Sequence, residues 1–223
     1  MTSVFEEALG ADFQRLHPMM RRRFGVGLDS GEACIGRGVM TSIRRGPWWT
    51  VPFLQIGRLR NILVPDTGEN VAFTIENYPY RDELGRETVT FVRTYAITPR
   101  RTARFDATMV LVGRRVVDYL GSHQHLAVDL DLEVDDRGGL ILTSHEQRFY
   151  EGPIAFRFPM LFSGRATLHE YWSDEDDSFH VELEVHNDVF GFLFGYSGTF
   201  TAEWTPATDA PARLKPRRTE ART

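Results

Sequence analysis

The sequence predicts a mainly β protein: an antiparallel meander that closes into a barrel or bends strongly, with short N-terminal helices and one or two short capping helices. From Cys34 onward apolar residues recur at every second position, in runs joined by short polar turns. The chain has neither βαβ alternation nor a Gly-rich dinucleotide turn, so a nucleotide-binding α/β domain is excluded. Its 223 residues can bury one sizeable core. Residues 1–204 are expected to form a single β-rich domain, with 205–223 a disordered tail rich in Pro, Ala, Thr and Arg.

The first stretch reads as helical. Ser3 and Glu6 form a capping-box pair, and Phe5, Leu9, Phe13 and Leu16 follow at spacings of three and four. Pro18 is suited to the first position of a second short helix that ends at Gly25. Strands are then expected at 71–78, 88–98, 105–112, 116–120, 125–134, 140–150, 165–172, 179–187 and 196–204. Asp135-Asp136-Arg137-Gly138-Gly139 is a hairpin turn between two of them. Three aromatic-rich segments, 46–54, 152–162 and 189–195, stand outside the meander and are too apolar for simple surface loops.

Composition narrows the function. The net charge is −5, and five basic against two acidic residues after Trp204 leave the preceding chain near −8. That balance argues against a nucleic-acid partner, whose binding requires neutralised phosphates. A single cysteine, Cys34, excludes an internal disulfide and a thiolate metal cluster. No apolar run has the length of a transmembrane segment, and the N-terminus lacks the basic-then-apolar layout of a signal peptide. A cytoplasmic protein is expected.

His123-Gln124-His125 places two histidines on one side of a strand, as metal sites do, but the core is expected on the other side. His180, Glu182, Glu184 and His186 alternate with apolar residues as any half-buried strand requires. Neither set is read as a metal site, and no cofactor is expected. No nucleophile motif occurs. Charges that interrupt apolar faces are more informative. Arg93 shares its side with Phe91 and Tyr95, and by strict alternation Glu146 and Arg148 share theirs with Leu140, Leu142 and Tyr150. Glu76 lies beside Ile75 and Asn77. A charge so placed must be paired or face a wet cavity.

Several runs together resemble an uncharacterised bacterial family, domain of unknown function 4166. They include Arg22-Arg23-Phe24-Gly25, Arg45-Gly46-Pro47-Trp48, Glu69-Asn70-Val71-Ala72-Phe73-Thr74-Ile75-Glu76-Asn77-Tyr78 and Gly85-Arg86-Glu87-Thr88-Val89-Thr90. Arg104-Phe105-Asp106-Ala107-Thr108-Met109, Tyr119-Leu120-Gly121-Ser122-His123-Gln124-His125, Glu146-Gln147-Arg148-Phe149-Tyr150-Glu151-Gly152-Pro153 and Phe158-Pro159-Met160-Leu161-Phe162-Ser163-Gly164 continue the resemblance. It implies a stand-alone copy of a module that also occurs beside dehydrogenase-like or membrane domains, and hence an oxidoreductase as a conceivable partner. It supplies no catalytic role.

Two functions follow as expectations. One is a non-catalytic module that binds a hydrophobic or amphipathic small molecule inside the sheet. Its polar contacts would come from Glu76, Arg93, His123, His125, Glu146, Arg148 and Tyr150, and Trp48 and Phe158 would belong to aromatic segments at the mouth. The alternative is a cofactor-independent enzyme, which requires two or more of Glu76, Glu146, His123 and His125 to converge with an arginine.

Overall fold

A computed structural model describes residues 2–48, 61, 66–157 and 163–223. Two short helices precede the sheet, α1 (Val4–Leu9) and α2 (Pro18–Phe24), with a 3-10 turn at Gly10–Arg15 between them. Ser3 caps α1, its Oγ accepting from the Glu6 N–H at 3.1 Å. The predicted periodicity runs on to Leu16, but α1 ends at Leu9 because Gly10 takes φ +56°, a left-handed conformation that breaks the helix. Pro18 opens α2, and His17 caps it through Nδ1.

Among the described residues twelve strands follow: β1 (Glu32–Arg45), β2 (Gly68–Asn77), β3 (Pro79–Arg81), β4 (Glu87–Thr98), β5 (Arg101–Val112), β6 (Arg115–Leu120), β7 (Leu126–Val134), β8 (Leu140–Glu151), β9 (Ile154–Arg157), β10 (Arg165–Ser173), β11 (Ser178–Asn187) and β12 (Gly191–Pro206). Ten of them form a closed antiparallel barrel. Each pairs with its neighbour along the chain, and β12 returns to β1 over a long register from Glu32↔Pro206 to Arg45↔Phe194. The ring is completed by a short β8–β10 ladder at Leu140↔Glu170 and Leu142↔Leu168. β3 adds to β4, and β9 folds back on β8 outside the ring. The predicted strands match closely. Two of the three aromatic segments, expected outside the meander, also supply strand: β9 lies within 152–162, and β12 begins at Gly191.

The core lies inside the barrel. Phe73, Phe91, Phe179, Tyr196 and Phe200 project inward from four strands. The inward side of β1 is kept small so that these rings fit. A Cβ on Gly38 would stand 2.0 Å from the Thr199 carbonyl oxygen and 2.5 Å from the Phe200 Cβ. Phe5, Phe13, Leu16, Met20 and Phe24 of the helical segment are buried and close one end. Each such side chain contributes roughly 1.5–3 kcal/mol by leaving water. The plug is tied to the β7–β8 hairpin by the His17 N–H donating to Gly138 O at 2.9 Å. β1 ends and β12 begins at the opposite end, where Arg45 pairs with Phe194.

The segment after Pro206 corrects the expected disorder. It lies along the outside of the barrel, where Arg213 forms a two-pronged ion pair with Glu76 at 2.6 and 2.8 Å. Leu214 and Glu220 are buried. The Glu220 N–H donates to Gln124 Oε1 at 2.7 Å, and the Tyr119 hydroxyl donates to Arg222 O at 2.8 Å. Beneath it Val110, Val117, Tyr119, Ala127 and Tyr150 form a second apolar cluster. Composition hides this order because the contacts are specific pairs rather than an apolar face. Truncation after Pro206 is expected to lower stability by about 2–3 kcal/mol, as the buried leucine and the charge-assisted bonds are lost together. Urea unfolding of the full and shortened chains checks it, and equal midpoints would show that the segment is only draped on the surface. No helix among the described residues is long and apolar enough to cross a membrane.

Candidate functional site

Two groups of polar side chains lie inside the barrel, and they differ in how well they are satisfied. The first is complete. Arg23, fully enclosed at the base of α2, donates Nε and Nη2 to the two carboxylate oxygens of Glu170 on β10. Its Nη1 donates to Asn77 Oδ1 at 2.8 Å and meets Cys34 Sγ at 3.5 Å. Asn77 in turn donates to Thr90 O at 3.0 Å. The guanidinium also lies over the Phe200 ring at 4.8 Å. This network joins the plug to β1, β2, β4 and β10, and its hydrogen bonding is used up. It serves structure.

The second group is incomplete. Arg93 points inward from β4, between Phe91 and Tyr95, and is 6% exposed. Its guanidinium rests on the rings of Phe105 at 5.0 Å and Phe91 at 5.7 Å. Among the described residues no carboxylate lies within ion-pairing distance of it. Asp118 points inward from β6, where Val116, Asp118 and Leu120 share one side, and is 7% exposed. Its Oδ1 is buried with no hydrogen-bond partner. Burial pushes the Asp118 carboxyl up to about 7, against the opposing pull of Arg93. The hydroxyls of Tyr95 and Tyr196, each 1% exposed, are buried and lie against each other, with no further partner among the described residues. Burial raises both phenols above their ordinary range, so they remain donors at any physiological pH. The four groups couple electrostatically through Arg93.

Of the residues singled out in the sequence, Arg93 alone belongs to this centre. Glu76 faces outward and pairs with Arg213. Glu146, Arg148 and Tyr150 also face outward, which corrects the reading by strict alternation. A β-bulge sets Leu130 opposite Ser144 but Val128 opposite Gln147, so β8 gains one residue and its later side chains change face. Leu140, Leu142, Ser144 and Gln147 therefore line the inside, while Arg148 pairs outside with Asp129 and with Glu146 at 2.8 Å. Asp129 also accepts from Arg115 at 2.9 Å.

His125, expected in solvent, is buried, with Nδ1 2.8 Å from Glu151 Oε2 and its ring stacked on His123 at 5.2 Å. His123 and His125 lie together, but Glu76 pairs with Arg213 and Glu146 with Arg148, so the four do not gather at one place. Among the described residues no three His, Cys, Asp or Glu side chains are grouped to hold a metal. Trp48 is 79% exposed on the rim opposite the helices, and Phe158 lies outside the described residues. A surface depression lined by His17, Met19, Trp172, Asp174 and Phe179 sits where α2 meets the sheet, away from every residue of the polar centre.

Sequence reasoning missed Asp118 and the two tyrosines. Asp118 obeys the rule that found Arg93, an ionisable group on an otherwise apolar face. Tyr95 and Tyr196 gave no signal, because an aromatic residue on an apolar face reads as core.

These features define a closed antiparallel barrel, plugged at one end by N-terminal helices, with a partly unsatisfied polar centre inside. The chain belongs to the family described as domain of unknown function (DUF4166), whose model matches residues 16–200. It is similar to "Uncharacterized protein YndH" of Bacillus subtilis (strain 168), with 26% identity over 205 residues, covering 91% of this chain and 98% of that protein. The family match takes in α2, Arg23, Arg93, Asp118, Glu170 and Tyr196, and stops before the outer C-terminal segment.

Proposed function

We propose that this chain is a non-catalytic binding module that holds an amphipathic small molecule inside the barrel, with its polar group at Arg93, Tyr95, Asp118 and Tyr196. The observation that carries this reading is a buried arginine with no carboxylate in ion-pairing range among the described residues, set with an unpartnered Asp118 oxygen and the Tyr95 and Tyr196 hydroxyls. Leaving a buried hydroxyl or carboxyl unmatched costs about 1–3 kcal/mol, and an unpaired buried charge costs more. Against a total stability of about 5–15 kcal/mol, such an arrangement is a heavy burden for a purely structural core. A bound polar group removes that burden. Arg23 and Glu170 give the internal contrast, since a structural pair in the same barrel is fully matched.

The rim supports the same reading. Ile154, Phe156, Val189 and Phe190 join Trp48 among the exposed large apolar residues, all near the end away from the helices. Exposed apolar side chains at a barrel mouth suit capture of an apolar tail. Titration of the full chain with the neutral, polarity-sensitive dye N-phenyl-1-naphthylamine tests the proposal. The expected result is blue-shifted emission that saturates at one dye per chain and is reversed by dodecanoic acid. Emission that rises without saturation, or no emission change, would contradict it.

A further inference from the structure

We infer that the polar group recognised at the barrel centre is a single carboxylate on an apolar tail, and that this carboxylate and the Asp118 side chain compete for the role of anion facing Arg93. The inference rests on the binding function proposed above and specifies its ligand class.

The donor set argues for a carboxylate. Arg93 offers a planar fork of N–H donors with one positive charge, and the Tyr95–Tyr196 pair, whose hydroxyls engage each other, adds one free hydroxyl donor. A carboxylate has two oxygens, about four acceptor sites and one negative charge, so it can use the fork and the free hydroxyl together. A phosphate dianion brings a second charge, which nothing described inside the barrel matches, because Arg23 is already committed to Glu170. A neutral alcohol leaves the Arg93 charge uncompensated.

The charge count sets the dependence on pH. Among the described residues, the titratable groups inside the barrel are Arg93 and Tyr95 of β4, Asp118 of β6, Glu170 of β10, Tyr196 of β12, Cys34 of β1 and Arg23 of α2. Toward Asp118, the neighbouring strands β5 and β7 present Met109 and Val128, both apolar. α1 buries Phe5 and Leu9 and keeps Glu6 and Glu7 nearer the surface. With Arg23 and Glu170 cancelling, the interior carries +1 when Asp118 is protonated and zero when it is ionised. An anionic ligand binds the +1 state. Because the Asp118 carboxyl titrates near 7, affinity for the carboxylate falls as pH rises through neutrality, while affinity for a neutral ligand does not.

The test is displacement of bound N-phenyl-1-naphthylamine by dodecanoic acid and, separately, by dodecanol, at pH 6 and pH 8.5. In the unmodified protein the acid is expected to displace the dye at about tenfold lower concentration than the alcohol at pH 6, and to lose most of that advantage at pH 8.5. Arg93→Met is expected to bind dye and alcohol but to lose the preference for acid. Asp118→Asn is expected to keep the preference at both pH values, since its neutral amide cannot take the anionic role. Equal displacement by acid and alcohol at pH 6 would overturn the inference while leaving the binding function intact. So would a preference in Asp118→Asn that still collapses at pH 8.5, a readout that stands even if Arg93→Met fails to fold. Failure of the dye to bind the unmodified protein would instead overturn the binding function itself.

Discussion

Asp118→Asn is expected to stabilise the free protein at pH 8.5 by up to about 4 kcal/mol, and to change little at pH 4. The folded state holds the Asp118 carboxyl near 7, against an ordinary value of 3.8 for an exposed aspartate. Its pKa is raised on folding, so the native protein binds the proton more tightly than the unfolded chain. Stability contributed by the protonated group is complete below about pH 4, declines between pH 4 and 7, and is gone above. At pH 8.5 the native state must hold an ionised carboxylate out of water, with Arg93 compensating only in part. Asparagine removes that cost, and its amide gives back some of the gain by needing partners of its own. Urea unfolding of both proteins across pH 4–8.5 measures the difference directly, with other acidic groups cancelling in the comparison. A difference independent of pH would show that Asp118 is solvated.

The second large effect concerns the plug. Glu170→Ala is expected to destabilise the protein by about 3–5 kcal/mol, because it leaves the Arg23 guanidinium buried without its counter-charge. The loss is the penalty of an uncompensated charge more than the worth of the pair. The double variant Arg23→Met with Glu170→Met is therefore expected to recover most of it, since two apolar side chains can fill the space among Phe24, Phe179 and Phe200. Cys34, buried against Arg23, supplies a local readout. Its reaction with a thiol reagent should accelerate in Glu170→Ala as α2 loosens, and return toward the original rate in the double variant. Additive losses and unchanged thiol protection would show that the pair does not hold the plug.

Strand positions were legible because a barrel wall buries one face and solvates the other, which writes a period of two into nearly every run. Closure was legible only as a choice between a barrel and a bent sheet. It depends on the β8–β10 ladder, where β9 intervenes in the chain and nothing local announces the pairing. The alternation misled where a bulge broke it: one extra residue in β8 turned Glu146, Arg148 and Tyr150 outward, and no turn residue or glycine marks the place. Arg93 was legible as a charge on an apolar face. Asp118 was equally legible by the same rule, in a strand of only six residues. The tyrosines could be recognised only once three dimensions placed their hydroxyls beside Arg93. The C-terminal segment was unreadable because its order comes from pairs such as Arg213–Glu76, distant in sequence and without periodicity.

The central claim is that the polar centre inside the barrel, rather than the apolar rim, is where a ligand's head group rests. Isotope-filtered nuclear Overhauser spectra of labelled protein with unlabelled dodecanoate at pH 6 locate the ligand most directly. The predicted result is transfer from the methylene next to the carboxylate to the ring protons of Tyr95 and Tyr196. Contacts confined to Trp48, Phe156 and Phe190 at saturating ligand would place the molecule on the surface and contradict an interior site.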